Sequence, residues 1–203
     1  MEDIPINANK RIAIIGAGSS GLTSIKCCLD EGLRPVCFEM SDDIGVLWNY
    51  SEITPGKEDR MIASGYKSCS INTSKEMMAF SDFPIPVNFP PFMPHNKVLE
   101  YFRMYASHFN LLKFIKFNTK VLSVVQTEDH LDTGCWAVTT QNLQSGEETT
   151  EVYDGVMVCS GHHRFPHKPA IEGMSRFKGK VIHSSEYKTQ SVFEDKKVLV
   201  MGK

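Results

Sequence analysis

Lys10-Arg11-Ile12-Ala13-Ile14-Ile15-Gly16-Ala17-Gly18-Ser19-Ser20-Gly21-Leu22 is the stretch on which the fold turns. Residues 11–15 are a short apolar run, the pattern of a parallel strand covered on both faces. Gly16, Gly18 and Gly21 then stand in G-x-G-x-x-G spacing, and residues 22–31 follow with Leu22, Ile25 and Leu29 on one helical face. Gly32 is placed to end that helix. Pro35-Val36-Cys37-Phe38-Glu39 reads as a second strand, with proline at its tolerated first position. A glycine-rich turn that follows a strand, opens a helix and precedes an acidic residue at the end of the next strand has the context a dinucleotide-binding fingerprint requires.

Each position has a chemical task. Gly16 permits the tight turn, Gly18 lets backbone approach a pyrophosphate, and Gly21 lets helix and strand pack closely. Gly18, Ser19 and Ser20 bring backbone N–H groups to the positive end of the helix dipole, which holds an anion by about 0.3–2 kcal/mol. Glu39 is expected to accept hydrogen bonds from a ribose, and its charge repels a 2′-phosphate, selecting FAD or NAD over NADP here. A strand–turn–helix without ligand is the alternative, and these residues alone leave FAD and NAD both open.

Composition sets the outer limits. The chain has 203 residues, 41% hydrophobic and 23% charged, the balance of a globular domain rather than a disordered segment. A net charge of −2 gives no electrostatic footprint for nucleic acid. No apolar run approaches the ~18 residues needed to span a bilayer. The opening Met1-Glu2-Asp3-Ile4-Pro5 lacks the basic and apolar regions of a signal peptide. Cys27, Cys28, Cys37, Cys69, Cys135 and Cys159 form no C-x-x-C pair, so neither a disulfide framework nor a metal site is expected, and a reducing cytosolic setting fits. His162, His163 and His167 cluster without Cys or carboxylate partners at ligand spacing, which also gives no metal site.

The remaining chain suggests an architecture. Pro84, Pro86, Pro90, Pro91 and Pro94 make residues 81–95 a stiff extended loop, a wall rather than a lid. A helix is predicted over 97–109 with Asn96 as N-cap. Strands at 121–126, 136–140 and 149–152 read as an antiparallel meander, and Val156-Met157-Val158-Cys159 as a buried strand stopped by Ser160-Gly161. Lys196-Lys197-Val198-Leu199-Val200-Met201-Gly202-Lys203 echoes residues 10–17, as if a second nucleotide domain began. The expected class is α/β: a Rossmann-like FAD-binding domain of the two-dinucleotide type over 1–193, incomplete and with a meander insertion, then the first strand of a truncated NADPH-binding domain over 194–203. A disulfide reductase of that layout needs a C-x4-C pair after Glu39, and residues 40–60 hold no cysteine.

Further stretches carry a family resemblance. Phe177, Gly179, His183 and Tyr187 stand in F-x-G-x-x-x-H-x-x-x-Y spacing, the identifying motif of flavin-containing monooxygenases. Tyr66-Lys67-Ser68-Cys69-Ser70-Ile71-Asn72-Thr73-Ser74-Lys75-Glu76-Met77-Met78 and Phe80-Ser81-Asp82-Phe83-Pro84 resemble that family's segment beside the flavin ring, and Asp43-Ile44-Gly45-Val46-Leu47-Trp48 resembles its G-G-x-W turn. The likeness covers essentially the whole chain and is closest to the animal dimethylaniline monooxygenases (N-oxide-forming), in their N-terminal portion only.

The resemblance implies that NADPH reduces FAD, that O2 adds to give a peroxyflavin, and that lipophilic amines or sulfides attack it. It implies that Asn72 is the catalytic residue beside the flavin's reactive edge. Thr73, Leu47 and Trp48 join Gly16, Gly18, Ser19, Ser20, Gly21 and Glu39 as cofactor-binding residues. A buried structural asparagine is the alternative for Asn72. The Phe177–Tyr187 motif is expected to link the two nucleotide domains; His183 satisfying local backbone, in a turn followed by a strand, is the alternative there. Asn72-Thr73-Ser74 and Asn49-Tyr50-Ser51 match the glycosylation pattern, which is discounted without a secretory signal. The family's place is the cytosolic face of the endoplasmic reticulum membrane, held through a C-terminal segment absent from this sequence; alone, the chain would be cytoplasmic.

Two departures stand out. Val46 occupies the family's second turn glycine, and a β-branched residue held at positive φ costs about 1–3 kcal/mol, which would loosen flavin binding. The second glycine motif stops at Gly202-Lys203, so the NADPH site is expected to be absent and the isolated chain to lack NADPH-dependent turnover. A non-catalytic FAD-binding module is therefore the second reading, and a Baeyer–Villiger monooxygenase a third, disfavoured by Tyr187 at the motif's end.

Overall fold

The computed structural model describes residues 9–45, 47–50, 65–161 and 166–202. Val46, His162 and His163 lie outside the described residues. In chain order the described elements are β1 (Arg11–Ile15), α1 (Ser19–Asp30), β2 (Arg34–Phe38), α2 (Lys75–Met78), α3 (His95–His108), β3 (Ile115–Lys116), β4 (Thr119–Gln126), α4 (His130–Thr133), β5 (Trp136–Asn142), β6 (Glu148–Tyr153) and β7 (Gly155–Val158).

The class is α/β, as the sequence predicts. A parallel sheet runs in the order β3-β2-β1-β7, and β4-β5-β6 form a separate antiparallel meander. Side-chain alternation along β1 explains the layers. Ile12 and Ile14 point to the side where α1 and α3 pack, meeting Leu22, Ile25, Val98, Tyr101, Phe102 and Tyr105. Ala13 points the other way, joining Phe38, Val138 and Tyr153 beneath the meander. The chain leaves β1 on one side for β2 and β3 and returns on the other as β7, so a switch point opens beyond the C-terminal end of β1, where such sheets bind ligands.

Several expectations shift. Helix α1 begins at Ser19, not Leu22, so Ser19 and Ser20 lie in its first turn. Its end is as read: Gly32 has φ +69°, and the N–H groups of Gly32 and Leu33 donate to the carbonyls of Leu29 and Cys28 at 3.1 and 2.8 Å. The second strand is Arg34–Phe38, placing Pro35 inside it, where its missing N–H faces a side that β3 does not yet cover.

Asn96 is not the N-cap of α3. Pro94 holds that position at φ −67°, extended by its bridge to Ser70, so the helix starts at His95; Asn96 instead accepts from the Lys97 N–H at 3.0 Å. The expected strand at 196–203 is not formed over its described residues. No described strand pairs with it, and Leu199 and Val200 are 82% and 86% exposed.

Candidate functional site

The glycine turn sits at the switch point, and each glycine meets a different constraint. At Gly16, φ is +100°, and a Cβ would lie 2.7 Å from the Cys159 carbonyl at the end of β7. At Gly21 a Cβ would lie 1.9 Å from the Gly16 carbonyl, so the helix can approach the turn only because that atom is missing. Gly18 is different: a Cβ there would meet nothing within 4 Å. The space beside Gly18 is open, as backbone contact with a ligand demands.

Glu39 closes the other side. It is 7% exposed, and its Oε2 accepts the Ala17 N–H at 2.8 Å, while Oε1 accepts the Ser41 N–H and hydroxyl at 2.9 and 2.8 Å. A carboxylate offers about four lone-pair directions, so an acceptor position remains for a ribose hydroxyl. Of the turn's amides, Ala17 is thus taken by the protein. The N–H groups of Gly18, Ser19 and Ser20 meet no acceptor among the described residues, and Ser19 and Ser20 are exposed at the start of a helix of 12 residues. Free amides, helix dipole and open space coincide there, and they fit the diphosphate and ribose of FAD.

The G-G-x-W-like turn lies against this mouth. Gly45 donates its N–H to the Ala17 carbonyl at 3.0 Å and has φ +65°, and Trp48 donates back to the Gly45 carbonyl at 2.8 Å. Leu47 is exposed, while Trp48 is half-buried against the helical core. The Trp48 carbonyl lies 3.1 Å from His95 Nδ1, which joins this turn to the start of α3.

The segment holding Asn72 is fastened to the same helix start. His95 N–H donates to the Cys69 carbonyl and Ile71 N–H to the Met93 carbonyl, each at 2.9 Å. Asn72 and Thr73 come next and are both exposed, so Asn72 is not a buried structural asparagine. The proline-rich loop is held by Lys75, whose ammonium donates to the carbonyls of Pro86, Val87 and Phe89 at 3.2, 2.7 and 2.7 Å. Tyr101 fixes residues 80–83: its hydroxyl accepts the Phe80 N–H at 2.8 Å and donates to the Phe83 carbonyl at 2.6 Å.

In the Phe177–Tyr187 motif, the Phe177 ring folds over Gly179, where a Cβ would sit 2.5 Å from the ring. His183 Nδ1 accepts the Ser185 N–H at 3.2 Å and lies 2.9 Å from its hydroxyl, capping a single 3-10 turn at 184–186. The histidine does satisfy local backbone, but no strand follows. Tyr187 packs on Tyr66, 5.4 Å between ring centres. The motif thus docks on the Asn72 segment rather than on the glycine turn. Lys75, Ser41 and Lys188 escaped sequence reading; only Ser41, two residues beyond Glu39, carried a local signal.

Known proteins resemble the chain over nearly its whole length. A flavin-containing monooxygenase 5 from Rattus norvegicus is 55% identical over 197 residues, covering 96% of this chain and 36% of the relative. A flavin-containing monooxygenase 2 from Homo sapiens is 52% identical over 196 residues, covering 95% and 35%. The chain therefore spans about a third of the length of the curated relatives it matches. Among solved structures, S-allyl-L-cysteine S-oxygenase from Allium sativum superposes with a TM-score of 0.80 at 28% identity, over 91% of this chain and 44% of that one. The sequence model described as flavin-binding monooxygenase-like matches residues 9–203, and the chain belongs to that family.

Proposed function

We propose that this chain is the FAD-binding part of an NADPH-dependent monooxygenase that uses O2 to oxygenate soft nitrogen or sulfur atoms of lipophilic small molecules. One observation carries the reading: the N–H groups of Gly18, Ser19 and Ser20, without an acceptor among the described residues, open beside the Glu39 carboxylate at the sheet's switch point. Bound there, FAD supplies the redox chemistry. The chain's own residues bind and orient it: the helix start takes the diphosphate, Glu39 the ribose, and the Gly45–Trp48 turn backs the mouth. Asn72, a neutral amide exposed beside this frame, is assigned to the flavin edge, where it donates a hydrogen bond without an acidic proton. The proposed division is a flavin domain over 1–193 and the start of a nicotinamide-nucleotide domain over 194–203. The proposed location is the cytosolic face of the endoplasmic reticulum membrane.

Support comes from the names of the relatives, all monooxygenases, and from the S-oxygenase among the structural neighbours. The test is to load the protein with FAD, add NADPH and a tertiary amine, and follow flavin bleaching and N-oxide. Flavin uptake with hydride transfer and N-oxide formation supports the enzyme. Flavin uptake without either matches the turnover expected to be missing from this part by itself, and absence of uptake defeats both readings.

A further inference from the structure

We propose that Lys188 is a positioning residue for Asn72, its side chain and carbonyl pinning residues 65–67 so that residues 69–71 hold Asn72 in a set direction. This rests on the assignment of Asn72 to the flavin edge. The contacts are specific. Lys188 Nζ donates to the Gly65 carbonyl at 3.1 Å, the Lys67 N–H donates to the Lys188 carbonyl at 2.9 Å, and the neighbouring Tyr187 ring packs on Tyr66.

Lys188 is 8% exposed, and burial pushes its ammonium below the ordinary lysine range. Burying an ammonium is costly unless it is hydrogen-bonded, so the position favours a defined geometry over simple filling of space. From Tyr66 the constraint has a short path. The Cys69 N–H donates to the Tyr66 carbonyl at 2.9 Å, and the Cys69 carbonyl and Ile71 N–H are both held by residues 93–95. The segment is therefore fixed from one side by residues 187–188 and from the other by the start of α3, and Asn72 is the first residue to leave that frame. On this account the end of the Phe177–Tyr187 motif acts as a clip on the flavin-edge segment.

The test compares wild type, Lys188→Met and Lys188→Arg by amide hydrogen exchange and by visible circular dichroism of the flavin-loaded protein. Lys188→Met is expected to raise exchange over residues 66–71 by about tenfold while β1 and α1 stay unchanged; Lys188→Arg, which keeps a cation, returns it to within about threefold of wild type. In the flavin-loaded protein, Lys188→Met and Asn72→Ala are expected to alter the flavin bands alike, with no further change in the double variant. Unchanged exchange over 66–71, a uniform rise that includes β1 and α1, or additive flavin effects would overturn the inference. If Lys188→Met does not fold, Lys188→Gln enters the same exchange comparison. A wild-type protein that takes up no flavin defeats the functional reading, and the exchange data then judge the clip by themselves.

Discussion

Glu39 and Ala17 meet at 2.8 Å, the buried carboxylate accepting the backbone N–H of a residue 22 positions earlier. The acid one residue beyond β2 therefore shapes the turn that follows β1 and faces the ligand space beside it. One side chain couples the fold to the site.

Replacing Glu39 by Gln should affect both. The Ala17 bond loses its charge, and charge-assisted hydrogen bonds are worth about 1.5–3 kcal/mol. Glu39→Gln is expected to lower unfolding stability by about 1–2 kcal/mol and FAD affinity by about tenfold. Urea unfolding and flavin titration measure the two effects; unchanged affinity would separate Glu39 from the cofactor.

The glycines should divide by location. Gly21→Ala drives a methyl into the Gly16 carbonyl and is expected to lower the melting temperature sharply. Gly18→Val meets open space, so the melting temperature should hold while FAD binding falls by about tenfold or more, because the branched side chain fills the approach to the amides. Differential scanning fluorimetry with and without FAD checks both.

Tyr153 offers a prediction against intuition. Its ring is buried against Phe38 and under the Arg11 guanidinium, and its hydroxyl, beside the Glu151 carboxylate, makes no hydrogen bond of ordinary length among the described residues. An unsatisfied buried hydroxyl costs about 1–3 kcal/mol, so Tyr153→Phe is expected to leave stability unchanged or raise it. Burial, then the nearby Glu151 carboxylate, pushes the phenol up to about 12. The fold thus favours the neutral form: stability is full below the unfolded value of about 10 and declines as pH rises toward the folded value. Denaturation followed between neutral and strongly alkaline pH should show less loss in Tyr153→Phe than in wild type.

Lys75 holds the proline-rich loop by three carbonyls. Lys75→Met leaves those groups without their cation and is expected to cost about 1–3 kcal/mol and to expose residues 84–91 to proteolysis first. Limited proteolysis with mass mapping reads this out; cleavage elsewhere would show that prolines alone stiffen the loop.

Local rules made much of this legible. Strand, turn, helix end and Glu39 all follow from short-range pattern, and the meander from alternation and turn residues. What sequence missed was set by distant contacts. Helix α3 starts at His95 because Ser70 holds Pro94 extended, which no residue near Asn96 reveals. Residues 196–202 have strand propensity, but a strand also needs a neighbour to take its N–H and C=O groups, and no described strand pairs with them. Lys75 and Lys188 look like ordinary surface lysines until the carbonyls they serve are brought to them by the fold.

The most direct trial is an amide-resolved NMR titration of the 15N-labelled protein with FAD. The largest shifts are expected on Gly18, Ser19 and Ser20, saturating at one equivalent and weakening in Glu39→Gln. Saturable binding that leaves those amides unmoved, or shifts centred on another part of the molecule, would contradict it.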